Sequence, residues 1–392
     1  MKTEELLFYL LREEFGVINP TEQEVNELKE SLKQEQMNDL FNLAKIHDVA
    51  NLVGDALAKL NVLSLEDDLY KLFDKERMLA VYRLENQRYE YEQVKELFKA
   101  EGIKFIPLKG AVIRNYYPEN VIRTSYDLDL LVDEKDFEKV KRLLIDRLRY
   151  KAPKTATFHD MGFESQAKVK VEIHFSLKEG LQQADAILMN AWDYAISENQ
   201  TSEYRLTNEF ILFYLTAHAA YHFLDGGCGI KPVMDLFVLQ KNLEYNEQKL
   251  NEILEEGKLL RFFQTLINLK AYWFENQKAS EDVLKTSNYL IDGGAYGSRE
   301  KGVVMANVKK GSKTRYFFSR TFLSYRKLKR IYPILEKHKW LFPFYQVVRW
   351  FSFLFGSRSK TGRSELAVLT SVKKQDLVSA RDLLECVGLV EN

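Results

Sequence analysis

The sequence predicts an α+β fold: a small mixed-sheet core over residues 96–200, between an N-terminal helical region (1–95) and a larger C-terminal helical region (201–392). Three observations predict it. Apolar residues recur at helical spacing before residue 96, as in Leu6, Leu7, Leu10 and Leu11. Through the middle, short apolar runs bounded by turn residues alternate with helical patterns, and from Thr207 the helical spacing returns and persists. With 392 residues, 46% of them hydrophobic, the chain can bury the cores of two or three ordinary domains.

In chain order, Thr21 and Glu24 form a capping-box candidate, and a long polar-apolar pattern runs from Leu79 to Leu97. At Gly102 the period changes. Ile103, Phe105, Ile106 and Leu108 make a short apolar run that ends at Lys109-Gly110, a strand entering a turn. The short helical stretch AVIRNYY, Pro118 and a loop follow, then the strand YDLDLLV and the amphipathic helix DEKDFEKVKRLLIDRLR. Two more strands, TFHDMGFES and KVKVEIHFSL, flank a hairpin-like QAK. The later helices break at Gly226-Gly227, Gly293-Gly294 and Gly356, and no internal repeat or low-complexity segment interrupts them.

Lys plus Arg equals Asp plus Glu at 57 each, so no global field recommends nucleic acid or an acidic partner. Two cysteines, Cys228 and Cys386, without a CxxC pair, read as buried thiols in a reducing compartment. The N-terminus MKTEELLFYLLREEFG carries Glu4, Glu5, Glu13 and Glu14 within its apolar pattern, as an amphipathic helix does and a secretory h-region does not. No stretch reaches the roughly 20 apolar residues of a spanning helix, and a cytoplasmic protein is expected.

The chemistry concentrates in two strands. In DLDLLV, Asp127 and Asp129 project from one face while Leu128 and Leu130 point to the other, buried one. Two carboxylates about 5–7 Å apart repel, and a hard divalent cation such as magnesium relieves them. VKVEIHF repeats the pattern, with Glu172 and His174 on one face and Val171 and Ile173 on the other. A third carboxylate beside the pair suits two-metal phosphoryl transfer, as a ligand or as the base for the attacking hydroxyl. A DxD pair also occurs on solvated edge strands. Here, however, Lys109-Gly110 lies upstream at a strand-to-helix turn, where backbone N–H groups and a lysine charge can meet phosphate.

The ordered set IPLKGAVIRNYYPENVIRTSYDLDLLV followed by VEIHFSL resembles the uncharacterised nucleotidyltransferase family of the polymerase-β-like superfamily, over roughly residues 95–180. The resemblance implies a nucleotidyltransferase core with a phosphate site at Lys109 and Gly110. It also implies magnesium ligands at Asp127 and Asp129, a third acidic residue at Glu172, and Arg123 as the arginine preceding the acidic pair. The chain departs from the wider superfamily at the turn, where Gly110 is followed by Ala111 rather than serine or glycine; Lys109 or Arg123 is expected to take over the missing hydroxyl's role.

Other signals are weaker. His218 and His222 fall four apart on one helical face, but Ala219 replaces the glutamate of an HExxH protease, so zinc is discounted; one histidine is expected at the cleft and the other in packing, with Asp235 nearby. His174 is expected to contact nucleotide or acceptor, or else to bond a buried carbonyl; His159 is a lesser candidate. Between Lys301 and Arg363 basic residues outnumber acidic ones among many aromatics. That stretch reads as an aromatic core with a lysine exterior, with nucleic-acid contact or an interfacial membrane helix as alternatives.

The expected activity moves a nucleoside monophosphate from a nucleoside triphosphate to an acceptor hydroxyl, with one or two magnesium ions. A small-molecule or sugar acceptor is favoured over RNA or protein, the resemblance suggesting polysaccharide or small-molecule biosynthesis. The alternatives are a catalytically inactive scaffold with the same fold, supported by Ala111, and a toxin-like enzyme acting on RNA or protein. For the last, binding through Lys327, Lys329 and Arg330 would be salt-sensitive.

Overall fold

The computed structural model describes the chain except residues 65, 154–156, 158, 199–200, 312–314, 316–317, 319–320, 356–371 and 391–392. Helices α1 (Thr3–Glu14), α2 (Glu22–Ser31), α3 (Gln34–Ile46) and α4 (Ala50–Lys59) open it. The expected capping box starts α2: Thr21 Oγ1 accepts from the Glu24 N–H, and the Thr21 N–H donates to the Glu24 carboxylate at 2.7 Å. Helix α5 (Asp68–Ala100) buries Leu69, Phe73, Ala80, Leu84, Val94 and Phe98, a stripe spaced at helical intervals, and on that stripe also Gln87 and Glu90.

Strands β1 (Phe105–Pro107), β2 (Asp127–Val132), β3 (Asp160–Glu164) and β4 (Lys170–His174) form one sheet in the order β1-β2-β4-β3. β2 and β4 run parallel and the outer pairings are antiparallel, so the sheet is mixed, as expected. Between β1 and β2 lie the one-turn helix α6 (Gly110–Ile113) and a 3-10 turn at Arg114–Tyr116; α7 (Phe137–Asp146) links β2 to β3. Leu128, Leu130, Val132, Val171, Ile173 and Phe163 close one face of the sheet against Val140 and Leu144 of α7 and Val94 and Phe98 of α5. That leaves the opposite face of β2 and β4 for the charged residues.

Helix α8 (Gln182–Leu188) is followed by a hairpin that the sequence reading did not include, β5 (Ala195–Ser197) with β6 (Tyr204–Leu206). Three-residue strands are too short for an alternation to declare itself. Helices α9 (Asn208–Leu224), α10 (Lys231–Asn242), α11 (Glu247–Glu256), α12 (Leu260–Phe274), α13 (Glu281–Gly293) and α14 (Arg299–Lys310) follow, with the Gly226-Gly227 and Gly293-Gly294 breaks between helices. A Cβ on Gly226, which has φ 123°, would sit 2.3 Å from the Ser298 carbonyl oxygen, so glycine lets the start of α14 come this close. Helices α15 (Tyr325–Ile331), α16 (Phe342–Phe355) and α17 (Lys374–Val387) end the chain. One continuous apolar cluster joins α1–α4 to α9–α13 and α17.

Two expectations are corrected. Cys228 is buried, but Cys386 is only half-buried. The aromatic stretch near the C-terminus does not all form core: Leu328 and Leu335 are buried, whereas Trp340, Phe344 and Phe351 are exposed, because a short helical unit has too little interior for them. Gly356, Lys313, Arg358, Lys360 and Arg363 of that stretch lie outside the described residues.

Candidate active site

The parallel register of β2 and β4 sets Asp127 opposite Lys170 and Asp129 opposite Glu172; antiparallel β3 sets Gly162 opposite Glu172 and Asp160 opposite His174. Alternation then gathers Asp127, Asp129, Lys170, Glu172, His174 and Asp160 on the face away from α5 and α7. They line a cleft of about 640 Å³ whose other wall comes from α9, α10 and the segment around Tyr296. Lys109, Gly110 and Arg123 line it too, so every sequence-predicted site residue borders one cavity.

Asp129 is its centre, 1% exposed. Its Oδ1 lies 3.0 Å from Lys109 Nζ and 2.9 Å from His174 Nε2. Its Oδ2 is buried without a hydrogen-bond partner among the described residues. Burial alone would favour the protonated acid, but Lys109 and His174 hold this carboxyl well below the usual range. Burial, and then the neighbouring Asp129 charge, push the Asp127 and Glu172 carboxyls up. Lys170 ion-pairs with Glu172. Ligand atoms of Asp129, Glu172 and His174 lie within 4.8 Å of one another, while Asp127 stands outside that group. A buried carboxylate oxygen lacking a donor, amid further oxygen ligands, fits a hard divalent cation.

The turn before α6 differs from expectation. Lys109 has φ 44° and ψ −119°, and the Ala111 N–H donates to the Leu108 carbonyl at 3.1 Å. This is the first corner of a type II′ turn, where glycine is usual and a lysine costs about 1–3 kcal/mol. The turn directs the lysine amine onto Asp129. Helix α6 has only four residues, so it adds little dipole to the backbone N–H groups and lysine charge expected at this turn. Gly110 is required by packing: a Cβ there would sit 2.7 Å from Ser125 Oγ and 3.3 Å from Arg123 Nη1. The turn is braced from behind by Arg114, whose Nε donates to the Gly110 carbonyl and whose Nη2 donates to Gln87 of α5, each at 2.6 Å.

Ser125 was not anticipated. Its hydroxyl lies against Gly110 and donates to the Asp127 carbonyl at 2.9 Å, so a serine hydroxyl stands at the turn although residue 111 is alanine. The spacing 125, 127, 129 was the signal. Arg123 does not touch the aspartates: its Nε and Nη2 donate to Asp235 Oδ1 and Oδ2 at 3.0 and 2.7 Å, and Tyr117 Oη donates to the same carboxylate. Asp235 therefore serves Arg123 rather than the histidines.

Across the cleft, His218 Nδ1 lies 2.7 Å from Glu179 Oε1, and the Nε2 atoms of His218 and His222 are 3.2 Å apart. Burial and the neighbouring His218 depress the His222 pKa to about 3. His159 pairs with Asp160 at 2.7 Å and its ring stacks on His174. Glu179 and Lys231, which ion-pairs with Asp48, also escaped the sequence reading, because neither motif nor periodicity links them to the acidic strands. Lys170 and Asp160 escaped it too, although Lys170 shares the parity of Glu172 and Asp160 lies in the neighbouring strand.

A family model described as uncharacterised nucleotidyltransferase matches residues 33–275, well over half the chain. The chain belongs to this uncharacterised nucleotidyltransferase family. The matched stretch contains α3–α12, the whole sheet and every cleft residue except Ala295 and Tyr296. Comparison with curated proteins and with solved structures returns no match. Membership brings general nucleotidyl transfer and a nucleotide substrate, and divalent-metal use is usual in the family.

Proposed function

We propose that this cleft transfers a nucleoside monophosphate from a nucleoside triphosphate to an acceptor hydroxyl with magnesium assistance. The observation that carries the reading is Asp129: a fully buried carboxylate, kept ionised by Lys109 and His174, with one oxygen left for a cation. Asp129, with Asp127 beside it, would hold the ion, which when bound neutralises charge on the triphosphate and the departing pyrophosphate, while Glu172 is left to act as base.

In the reaction the acceptor oxygen bonds to the α-phosphorus and the bond from that phosphorus to the bridging oxygen of pyrophosphate breaks. The proton leaving the acceptor goes to the Glu172 carboxylate, whose proton affinity burial raises. Lys109 and the backbone at Gly110 orient phosphate oxygens, assisted by the Ser125 hydroxyl. Arg123, fixed by Asp235, packs behind Gly110 and shapes the turn that faces phosphate. His174 positions Asp129.

The test supplies the protein, magnesium and triphosphates labelled at the α- or γ-phosphorus together with candidate small hydroxyl acceptors. Transfer of α-label with release of pyrophosphate supports the proposal; transfer of γ-label contradicts it.

A further inference from the structure

Sixteen Lys and Arg stand against a single acidic residue, Glu336, between Lys301 and Arg363, in a chain whose total charge is zero. The rest of the molecule therefore carries an equal acidic excess, and the family match ends before this segment. Within it, side-chain hydrogen bonds tie α16 to other described residues from one side. Arg349 Nη1 and Trp350 Nε1 both donate to the Thr321 carbonyl, at 3.0 and 2.7 Å, and Gln346 donates to the Leu323 carbonyl. Residues 346, 349 and 350 thus face the protein.

Half a helical turn away lie Phe344, Val347 and Phe351, with Trp340 of the preceding 3-10 turn (Lys339–Leu341) extending the line. They are 60%, 42%, 61% and 76% exposed, the last figure being that of Trp340. Spacings of 4, 3 and 4 make them one apolar stripe, with lysines 337 and 339 exposed at its N-terminal end. Among the described residues no helix is long and apolar enough to cross a membrane.

We propose that α16 and the turn before it form a docking surface for an anionic lipid membrane. The apolar stripe enters the boundary between headgroups and acyl chains, and Lys337 and Lys339 at its N-terminal end meet lipid phosphates. Trp340 sits where an amphipathic aromatic ring is favoured, at the water interface. Single-stranded nucleic acid is the less suitable occupant: base stacking needs rings presented singly along a cationic groove, whereas this line is continuous, includes aliphatic Val347, and holds its nearest arginine, Arg349, on the opposite face. The surface is independent of the chemistry proposed for the cleft.

The test is flotation of the full-length protein with vesicles of neutral phosphatidylcholine, or the same lipid containing about 30 mol% phosphatidylglycerol. The protein is expected to float with the anionic vesicles at least about tenfold more than with neutral ones, and to be released by high salt. A Trp340→Ser, Phe344→Ser, Val347→Ser variant, with unchanged circular dichroism and melting temperature, should lose flotation at every salt concentration. A separate Lys337→Glu, Lys339→Glu variant should lose it most at low salt. No flotation of the wild type with anionic vesicles, or equal flotation of the wild type and the apolar-stripe variant, would overturn the proposal. So would tight binding of a fluorescent single-stranded RNA that the stripe variant loses while vesicle binding is absent.

Discussion

The two faces of the central sheet share the same strands and register but answer to different demands. On one, Leu128, Leu130, Val132, Val171 and Ile173 meet α5 and α7 and form ordinary core. On the other, Asp127, Lys170 and Glu172 are drawn together around the buried Asp129 and His174, two of the three carboxyls have raised proton affinity, and a buried Asp129 oxygen lacks a donor among the described residues. Packing accounts for the first face entirely. It does not account for the second, where burial disfavours the charges of Asp127 and Glu172.

The largest expected effect separates the faces outright. Asp129→Asn keeps the side-chain shape and should lower the rate of pyrophosphate release about 10³-fold or more, because the ionised ligand is gone. Leu130→Ala, one residue away on the other face, should destabilise the protein by about 2–5 kcal/mol in urea unfolding while leaving its magnesium dependence unchanged. Similar activity losses in both variants, after correction for the folded fraction, would erase the distinction.

A buried histidine that does not line the cleft provides a second contrast. His47 is fully buried with Nε2 2.9 Å from the Ile291 carbonyl, and burial lowers its pKa to about 4 from an ordinary 6.5. The folded state favours the neutral ring, so this contribution is complete above pH 6.5 and is lost as pH falls from there through about 4. The decrease should reach about 3 kcal/mol, read as the difference between pH-dependent unfolding free energies of the wild type and His47→Gln.

The turn and the acidic face separate more finely. Gly110→Ala forces a methyl against Ser125 and should cost about 1–3 kcal/mol, with a larger relative loss in nucleotide affinity than in stability. Asp127→Asn should do the reverse, raising stability without magnesium by about 0.5–2 kcal/mol while reducing activity, because burial and Asp129 already disfavour its charge. A destabilised Asp127→Asn protein would mean that the acidic face is structural.

The strands and the site were legible to different depths. Alternation in DLDLLV and VEIHF identified β2 and β4 and the face that gathers their carboxylates, because a period of two is local information. The Lys109–Asp129 contact, the engagement of Arg123 by Asp235, and the Glu179–His218 pair join residues 20, 112 and 39 positions apart, and only the folded register reveals them. Ser125 shared the parity of Asp127 and Asp129, yet its contact with Gly110 depends on how tightly a II′ turn packs. The exposed stripe of α16 was hidden for another reason. Its aromatic spacing is that of a core helix, and only the exposure of those side chains in the fold distinguishes surface from interior.

The most direct measurement is calorimetric titration of ATP, GTP, CTP and UTP, each with and without magnesium, into the wild type and Asp129→Asn. At least one triphosphate should bind the wild type only with magnesium, and Asp129→Asn should abolish that binding while its melting curve shows a folded protein. Magnesium-independent binding, equal binding by the two proteins, or no binding of any triphosphate to folded wild type would contradict the assignment of this cleft.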